Sequence, residues 1–272
     1  MMEKPIDHKR YSRHLALQGF GKKGQSALLK ARVLVIGAGG LSCPLLQYLC
    51  ASGVGCIGIV DYDTVDLTNL HRQTLYGKAD VGFPKVQAAA ERLRYMNPEL
   101  EIVTYHTQLN QTNALSILSD FDVVVDGSDN YATRYLVNDA CVILNKVLVY
   151  GAVLRYEGQV AVFNYADKQG LKTNYRDVFP NEQAHMEGFA CSDVGVLGVL
   201  PGIIGNLQAA EVIKIICGVG EVLANKILHY NLLNQSFYDM QISPLKQKPQ
   251  NVPHDRDSFL QHNYGLASVE PK

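Results

Sequence analysis

The chain has 272 residues, of which 47% are hydrophobic, so it can form one large packed domain or two small ones and is not globally disordered. The 25 Lys and Arg residues against 26 Asp and Glu give a formal net charge of -1, which argues against electrostatic binding of nucleic acid. No secretory signal is visible, and the longest uncharged apolar stretch, 194–210, is too short for a membrane span. The six cysteines form no CxxC pair, so we expect reduced thiols in a cytoplasmic protein.

The first half of the chain predicts a helical arm over residues 1–30 and then strands that alternate with helices. Strands are predicted at 32–36, 55–60, 101–106, 121–126 and 147–150, and helices at 41–52, 84–96 and 131–145. This alternation indicates βαβ units. We therefore predict an α/β fold with a Rossmann-like, doubly wound and mostly parallel sheet.

The second half predicts an antiparallel extension of that sheet. A strand at 156–164 is followed by a long polar, irregular segment at 167–188, and after Cys191 comes an apolar helical stretch. Strands at 226–231 and 235–242 form a predicted hairpin. The predicted division is an arm (1–30), a main domain (31–242) with halves 31–150 and 151–242, and a loose proline-bearing tail (243–272).

A glycine-rich turn follows the first predicted strand. Gly37, Gly39 and Gly40 let the backbone approach a phosphate, and the next helix supplies N–H donors at its N-terminus. Asp61 ends the second strand, where a carboxylate can accept hydrogen bonds from a ribose. Ser42 replaces the last glycine of the dinucleotide fingerprint, which weakens an NAD interpretation. A glycine-rich turn without a ligand remains the alternative.

Charged residues near this turn suggest phosphate chemistry. Arg72 follows Asn69 closely, and Lys85 lies in the first turn of a helix, where a cation is unfavourable unless an anion is held there. Asp129 could hold Mg²⁺ against phosphates. Two alternative interpretations remain: Lys85 could be an ordinary surface lysine, and Asp129-Asn130 could be a helix N-cap. Nucleotidyl or phosphoryl transfer uses two such cations and a metal carboxylate together, because charge on the phosphates must be neutralised.

These motifs resemble those of the MoeB/ThiF family, the prokaryotic relatives of the ubiquitin-activating enzymes, from about Tyr11 to Met240. The resemblance is carried by Arg10-Tyr-Ser-Arg13, Gly37-Ala-Gly-Gly40, Asp61-Tyr-Asp63, Asn69-Leu-His-Arg72-Gln73, Pro84-Lys85, Asp126-Gly-Ser-Asp129-Asn130, Gly158-Gln159 and Gln208-Ala-Ala-Glu211-Val-Ile-Lys214. It implies an adenylyltransferase that uses Mg-ATP to activate the C-terminal glycine of a small ubiquitin-fold sulfur carrier ending in Gly-Gly, with release of pyrophosphate.

The resemblance also implies a role for each matched residue. The glycines of the turn, Asn69 and Asn130 belong to the nucleotide pocket. Asp61 contacts the ribose, and Arg72 and Lys85 contact the triphosphate. Asp129 binds the magnesium ion. Arg13 matches an arginine that the family supplies from the partner subunit, which implies a homodimer with composite sites. The half 31–150 would then bind the nucleotide and the half 151–242 the carrier.

Two cysteine features separate members of this family. Cys191 occupies the position of the family cysteine, and both a covalent carrier intermediate and a small buried side chain stay open for it. Many members hold Zn²⁺ with two CxxC pairs. Here the first segment reads Asn174-Tyr175-Arg176-Asp177 and no cysteine follows Met240, so we predict no zinc.

Several functions remain in competition. Gly158-Gln-Val-Ala-Val-Phe and Leu41-Ser-Cys-Pro44 favour a MoaD-like carrier in molybdopterin synthesis over a ThiS carrier in thiamin-thiazole synthesis. An NAD-dependent oxidoreductase shares only the glycine turn and Asp61, and the tRNA-modifying dehydratase branch matches less well. A non-catalytic carrier-binding scaffold would be expected to have lost some of the charged residues of the site. The expected partners are a carrier and a second copy of the chain, without nucleic acid or membrane.

Overall fold

The computed structural model describes residues 5–182, 195–247, 249 and 251–266, and strands alternate with helices through its first half as predicted. The helices are α1 (Ser12–Leu15), α2 (Gly21–Lys30), α3 (Ser42–Ser52), α4 (Lys85–Met96), α5 (Ala114–Ser119), α6 (Tyr131–Ile143), α7 (Tyr175–Val178), α8 (Val199–Cys217) and α9 (Arg256–Gln261). The strands are β1 (Arg32–Ile36), β2 (Cys56–Val60), β3 (Glu101–Tyr105), β4 (Val123–Asp126), β5 (Val147–Leu154), β6 (Glu157–Phe163), β7 (Lys226–Asn231) and β8 (Ser236–Gln241).

Within the described residues these strands form one sheet in the order β3-β2-β1-β4-β5-β6-β7-β8. The first five are parallel and the last three antiparallel, which confirms the predicted fold class. Ile36 lies opposite both Val60 and Asp126, so β1, β2 and β4 end at the same edge of the sheet. The chain runs outward from β1 to β3 and returns at β4, and ligands bind at such a reversal of strand order in open α/β sheets.

Helices cover both faces of the sheet. Apolar residues of α2, α3, α4 and α8 pack on one face, and those of α5 and α6 pack on the other. Because both faces are covered, β1, β2 and β4 are almost fully buried, as their β-branched sequences indicate. The short helix α5 was not predicted, and β5 extends four residues beyond the predicted strand because it pairs with β6 up to Leu154.

Helix α8 is the element of the described chain whose 19 residues are long and apolar enough to cross a membrane. It lies against α3 and β5, with 44% of its most apolar window buried inside the protein. A side chain at Gly205 would collide with the carbonyl oxygen of Leu41, so this glycine allows α8 to approach the start of α3. Length and composition of this kind are equally typical of a core helix.

The prediction of a loose tail is wrong for the segment 251–266. Asp255 accepts a hydrogen bond from the Ser258 N–H at 2.8 Å and begins α9. Phe259 and Tyr264 are fully buried in the core beside α6. The low aliphatic content of the tail concealed this contact, because the fully buried side chains are aromatic.

A buried charged cluster joins this segment to the body of the protein; we call it the tail cluster (Asp139, Arg176, Glu182, His262 and Tyr264). Arg176 donates to both carboxylate oxygens of Asp139 at 2.8 and 2.7 Å and to Glu182 at 2.8 Å. The hydroxyl of Tyr264 donates to Asp139 at 2.9 Å, and His262 lies 3.1 Å from the Glu182 carboxylate. The segment 174–177 thus forms the start of α7 and contributes Arg176 to an ion pair.

Candidate functional site

A cavity of about 610 Å³ opens at the carboxyl ends of β1, β2 and β4. The glycine turn forms its floor, and Gly37, Gly39 and Gly40 all line it. Gly37 has φ +81°, and a Cβ there would lie 3.0 Å from the carbonyl oxygen of Gly127, so the turn accepts no larger residue without strain. A Cβ on Gly39 would meet only the end of the Gln73 side chain, which leaves backbone exposed to a ligand.

Asp61 lines the cavity as predicted and also holds the turn in place. One carboxylate oxygen accepts a hydrogen bond from the Ala38 N–H at 2.7 Å, and the other accepts from the Asp63 N–H at 2.8 Å. Burial raises the pKa of the Asp61 carboxyl, while the charge of Lys85 and these two hydrogen bonds act in the opposite direction. The carboxylate lies beside the glycine turn, where a ribose hydroxyl can reach it.

Lys85 is a buried cavity residue. Its side chain is 7% exposed, and its ammonium donates to the Asp63 carboxylate at 2.8 Å. A solvated surface lysine is therefore excluded. Since Asp63 is itself half-exposed at the cavity wall, the ammonium remains adjacent to the space that a ligand would fill.

Arg72 comes from the turn that follows a 3-10 helix at Leu67–Asn69. Its guanidinium donates to the Thr68 carbonyl at 3.2 Å and lies 2.9 Å from the His71 ring nitrogen, and it lines the cavity. Asn69 does not line the cavity. Its backbone carbonyl instead accepts from the N–H groups of Arg72 and Gln73, so it shapes the turn that presents them.

The sequence left both a magnesium ligand and a helix N-cap open at Asp129-Asn130, and the two residues differ in position. Asn130 is the N-cap of α6, because its side chain accepts from the Thr133 N–H at 2.8 Å. Asp129 lies one residue earlier, lines the cavity and forms no ion pair within the described residues. Its carboxylate is the kind of oxygen donor that Mg²⁺ prefers.

Two predicted residues lie elsewhere. Arg13 is exposed on α1 and does not line the cavity of its own chain. Cys191 lies outside the described residues, so its role stays a prediction. Four of the remaining cysteines are buried, and burial raises the pKa of Cys43 to about 12 and of Cys50 to about 11, as expected of packing residues.

Two arginines of the cavity were missed from the sequence. Arg134 lies one turn into α6, donates to the Ser128 carbonyl at 3.2 Å and packs 5.6 Å from the centre of the Tyr150 ring. Its position four residues after Asn130 could have shown that it faces the same way. Arg155 comes from the turn between β5 and β6, and no local pattern connects that turn to the cavity.

The cavity fits a nucleotide with a divalent cation. Its volume lies within the usual range for ligand pockets of about 300–1,000 Å³. Gln73 and Ser128 also line it, and the side-chain oxygen of Gln73 lacks a hydrogen-bond partner in the described chain. Arg72, Lys85 and Arg134 could neutralise phosphates, and Asp129 could hold Mg²⁺. This arrangement can position two anionic reactants by neutralising their charge.

Comparison with known proteins agrees with this geometry. The ThiF family model matches residues 11–252. The chain is similar to the sulfur carrier protein adenylyltransferase of Thermus thermophilus, with 47% identity over 229 residues, or 84% of each chain. It is 49% identical over 233 residues to the adenylyltransferase and sulfurtransferase MOCS3 of Culex quinquefasciatus, which covers 86% of this chain but only 52% of that protein. A crystal structure of E. coli MccB with AMPCPP and MccA has the same fold, with a TM-score of 0.74 and 23% identity. The match covers 88% of this chain and 73% of that chain.

Proposed function

The chain belongs to the ThiF family, and on that premise we propose that it is an adenylyltransferase that activates the C-terminal glycine carboxylate of a ubiquitin-fold sulfur-carrier protein. The carboxylate attacks the α-phosphate of ATP, the bond to the β-phosphate breaks, and pyrophosphate leaves as the acyl-adenylate forms. The observation that carries the proposal is the meeting of the glycine turn, Arg72, Lys85 and Asp129 in one cavity.

The chain's own residues would act by positioning and charge neutralisation. The carboxylate is already deprotonated at neutral pH, so no base is needed to activate it. The glycine turn at the start of α3 offers backbone N–H groups to the phosphates, and Arg72 and Lys85 oppose the charge of the leaving pyrophosphate. Asp129 would hold Mg²⁺, which supplies further charge neutralisation on the phosphates when bound.

Within this activity we favour a MoaD-like carrier and molybdopterin synthesis. The supporting residues are Gly158-Gln-Val-Ala-Val-Phe in β6 and Leu41-Ser-Cys-Pro44 at the start of α3. A ThiS-like carrier is the alternative, and the experiment described next must distinguish the two carriers.

Intact-protein mass spectrometry tests both levels of the proposal. MoaD-type and ThiS-type carriers are incubated side by side with the protein and Mg-ATP, and the same carriers lacking the terminal glycine serve as controls. We expect the MoaD-type carrier to gain one AMP. A gain on the ThiS-type carrier alone would overturn the pathway and keep the activity, and no gain on either carrier would overturn the activity.

We expect Asp129→Asn to lower the rate of acyl-adenylate formation by at least about 100-fold at saturating ATP, because the loss of one preorganised charge contact at a phosphate has this size. The rate is measured by pyrophosphate release across a series of Mg²⁺ concentrations. Asp120→Asn, an exposed carboxylate outside the cavity, is the matched control and should retain the wild-type Mg²⁺ dependence. Wild-type Mg²⁺ dependence in Asp129→Asn would refute the metal assignment.

We further propose that Arg13 acts in the cavity of a partner subunit. Arg13→Ala and Lys85→Ala should each be inactive alone, but mixing them should recover roughly a quarter of the wild-type rate. Half of the randomly exchanged dimers are mixed, and one of the two sites in each mixed dimer is intact. Subunit exchange is verified by native mass spectrometry. Absence of recovery after complete exchange would show that Arg13 does not act across subunits.

A further inference from the structure

Part of the cavity wall comes from the half 151–242. Val153, Leu154 and Arg155 line it from the end of β5, and Gly195 and Val196 lie beside them. Arg155 and Val196 form an isolated parallel bridge, which connects these two stretches directly. Among the described residues of this half that line the cavity, Arg155 is the one cation.

Arg155 differs from the other lining cations in its contacts. Lys85 pairs with Asp63, and the guanidinium groups of Arg72 and Arg134 donate to backbone carbonyls. The Arg155 side chain has no ion pair, hydrogen bond or aromatic contact within the described residues, and it is exposed. A charged guanidinium at a cavity wall without a protein partner is available to an anionic ligand.

The backbone at Arg155 is unusual for its residue type. Leu154 pairs with Glu157, so Arg155 and Tyr156 form a two-residue hairpin loop, and Arg155 has φ +55°. Glycine or asparagine occupies left-handed positions in such loops at lower free energy. Disfavoured backbone conformations are concentrated at ligand sites, and Arg155 combines such a conformation with a position in the cavity wall.

We propose that Arg155 binds the acyl substrate, donating hydrogen bonds to the C-terminal carboxylate and the adjacent carbonyl groups of the carrier as that segment enters the cavity. This inference rests on the proposed function. The carboxylate must approach a negatively charged triphosphate, and a guanidinium at the cavity wall can hold it there with two parallel hydrogen bonds. Arg155 would therefore determine affinity for the carrier and leave affinity for ATP unchanged.

The test is Arg155→Asn, assayed by carrier-dependent exchange of pyrophosphate into ATP. Asparagine suits the left-handed backbone, so the midpoint of thermal unfolding should stay the same or rise by about 1–4 °C. The half-saturating concentration of carrier should rise at least about tenfold, as expected for loss of a charged hydrogen bond, and that of ATP should change less than about twofold. Arg155→Lys, which keeps the charge but loses the paired donors, should give an intermediate increase.

Gln235→Asn is the matched control, because Gln235 has φ +54° in the β7–β8 loop and lies outside the cavity. It should leave both half-saturating concentrations unchanged. An unchanged carrier dependence in Arg155→Asn, or a rise confined to ATP, would overturn the assignment of Arg155 while the active wild type upholds the proposed function. If the wild type catalyses no exchange with any carrier, the proposed function fails and this assignment fails with it.

Discussion

Lys85→Ala should lower the rate of acyl-adenylate formation by about 100- to 1,000-fold, which is the loss expected when one preorganised charged donor is removed from a transition state. The expectation follows from the position of the ammonium, which is buried at the cavity wall next to Asp63. In such an environment a charge interacts more strongly with phosphates than it would in water. Carrier-dependent pyrophosphate exchange measures the rate, and calorimetry measures ATP binding separately.

Three variants make this result interpretable. Lys85→Met keeps the apolar stem of the side chain, so an equal loss of rate in this variant would assign the effect to the charge. Lys78→Ala removes an exposed lysine outside the cavity and should have no effect. Asp63→Asn removes the partner but leaves the ammonium, and a smaller loss is expected. Wild-type exchange by Lys85→Met would contradict the assigned role.

The sheet could be predicted from the sequence because the local composition of its strands identifies them. The β-branched runs of β1 and β4 are buried on both faces, so local composition was sufficient to identify them. The docking of the C-terminal segment could not be predicted in the same way. It depends on Phe259 and Tyr264 meeting α6 across a separation of more than 100 residues, and no local period encodes such a contact.

The same difference between local patterns and long-range contacts applies to the residues of the site. Asp61 and Asp129 follow strands that end at one sheet edge, so the topology brings them to the cavity with the glycine turn. Asn69 was expected in the pocket, but its backbone holds the turn while Arg72 lines the wall. Arg155 reaches the cavity only because the antiparallel extension folds beside it, and a hairpin sequence gives no information about what faces its loop.

Asp139→Asn should lower the free energy of unfolding by about 3–5 kcal/mol, the usual cost of removing one partner from a buried ion pair. The Asp139 and Arg176 side chains are 1% and 6% exposed and share two hydrogen bonds. Burial lowers the pKa of the Arg176 guanidinium, but the hydrogen bonds and charges of Asp139 and Glu182 outweigh it and the net shift is upward. Arg176 therefore stays charged, and the asparagine variant leaves that charge with Glu182 as its anionic partner in the tail cluster.

Urea unfolding followed by circular dichroism measures the loss, and Glu101→Gln is the control. Glu101 pairs with Arg32 at 3.3 Å on the surface, with both side chains well exposed, so its loss should cost at most about 1 kcal/mol. Asp139→Leu combined with Arg176→Met should be less destabilised than the sum of the two single variants, because no unpaired charge from this pair remains buried. A cost below 1 kcal/mol for Asp139→Asn, or full additivity in the double variant, would contradict a coupled pair.

The same variant separates stability from ligand binding. Helix α6 has its N-cap residue Asn130 at the cavity and Asp139 in the tail cluster, about two turns farther along. A ligand that binds only the folded state stabilises it by an amount set by its affinity and free concentration, whatever the starting stability. If the tail cluster only fastens the C-terminal segment, saturating Mg-ATP should add the same free energy of unfolding to Asp139→Asn as to the wild type. A smaller increment would mean that the tail cluster also holds the start of α6 in the geometry that binds the nucleotide.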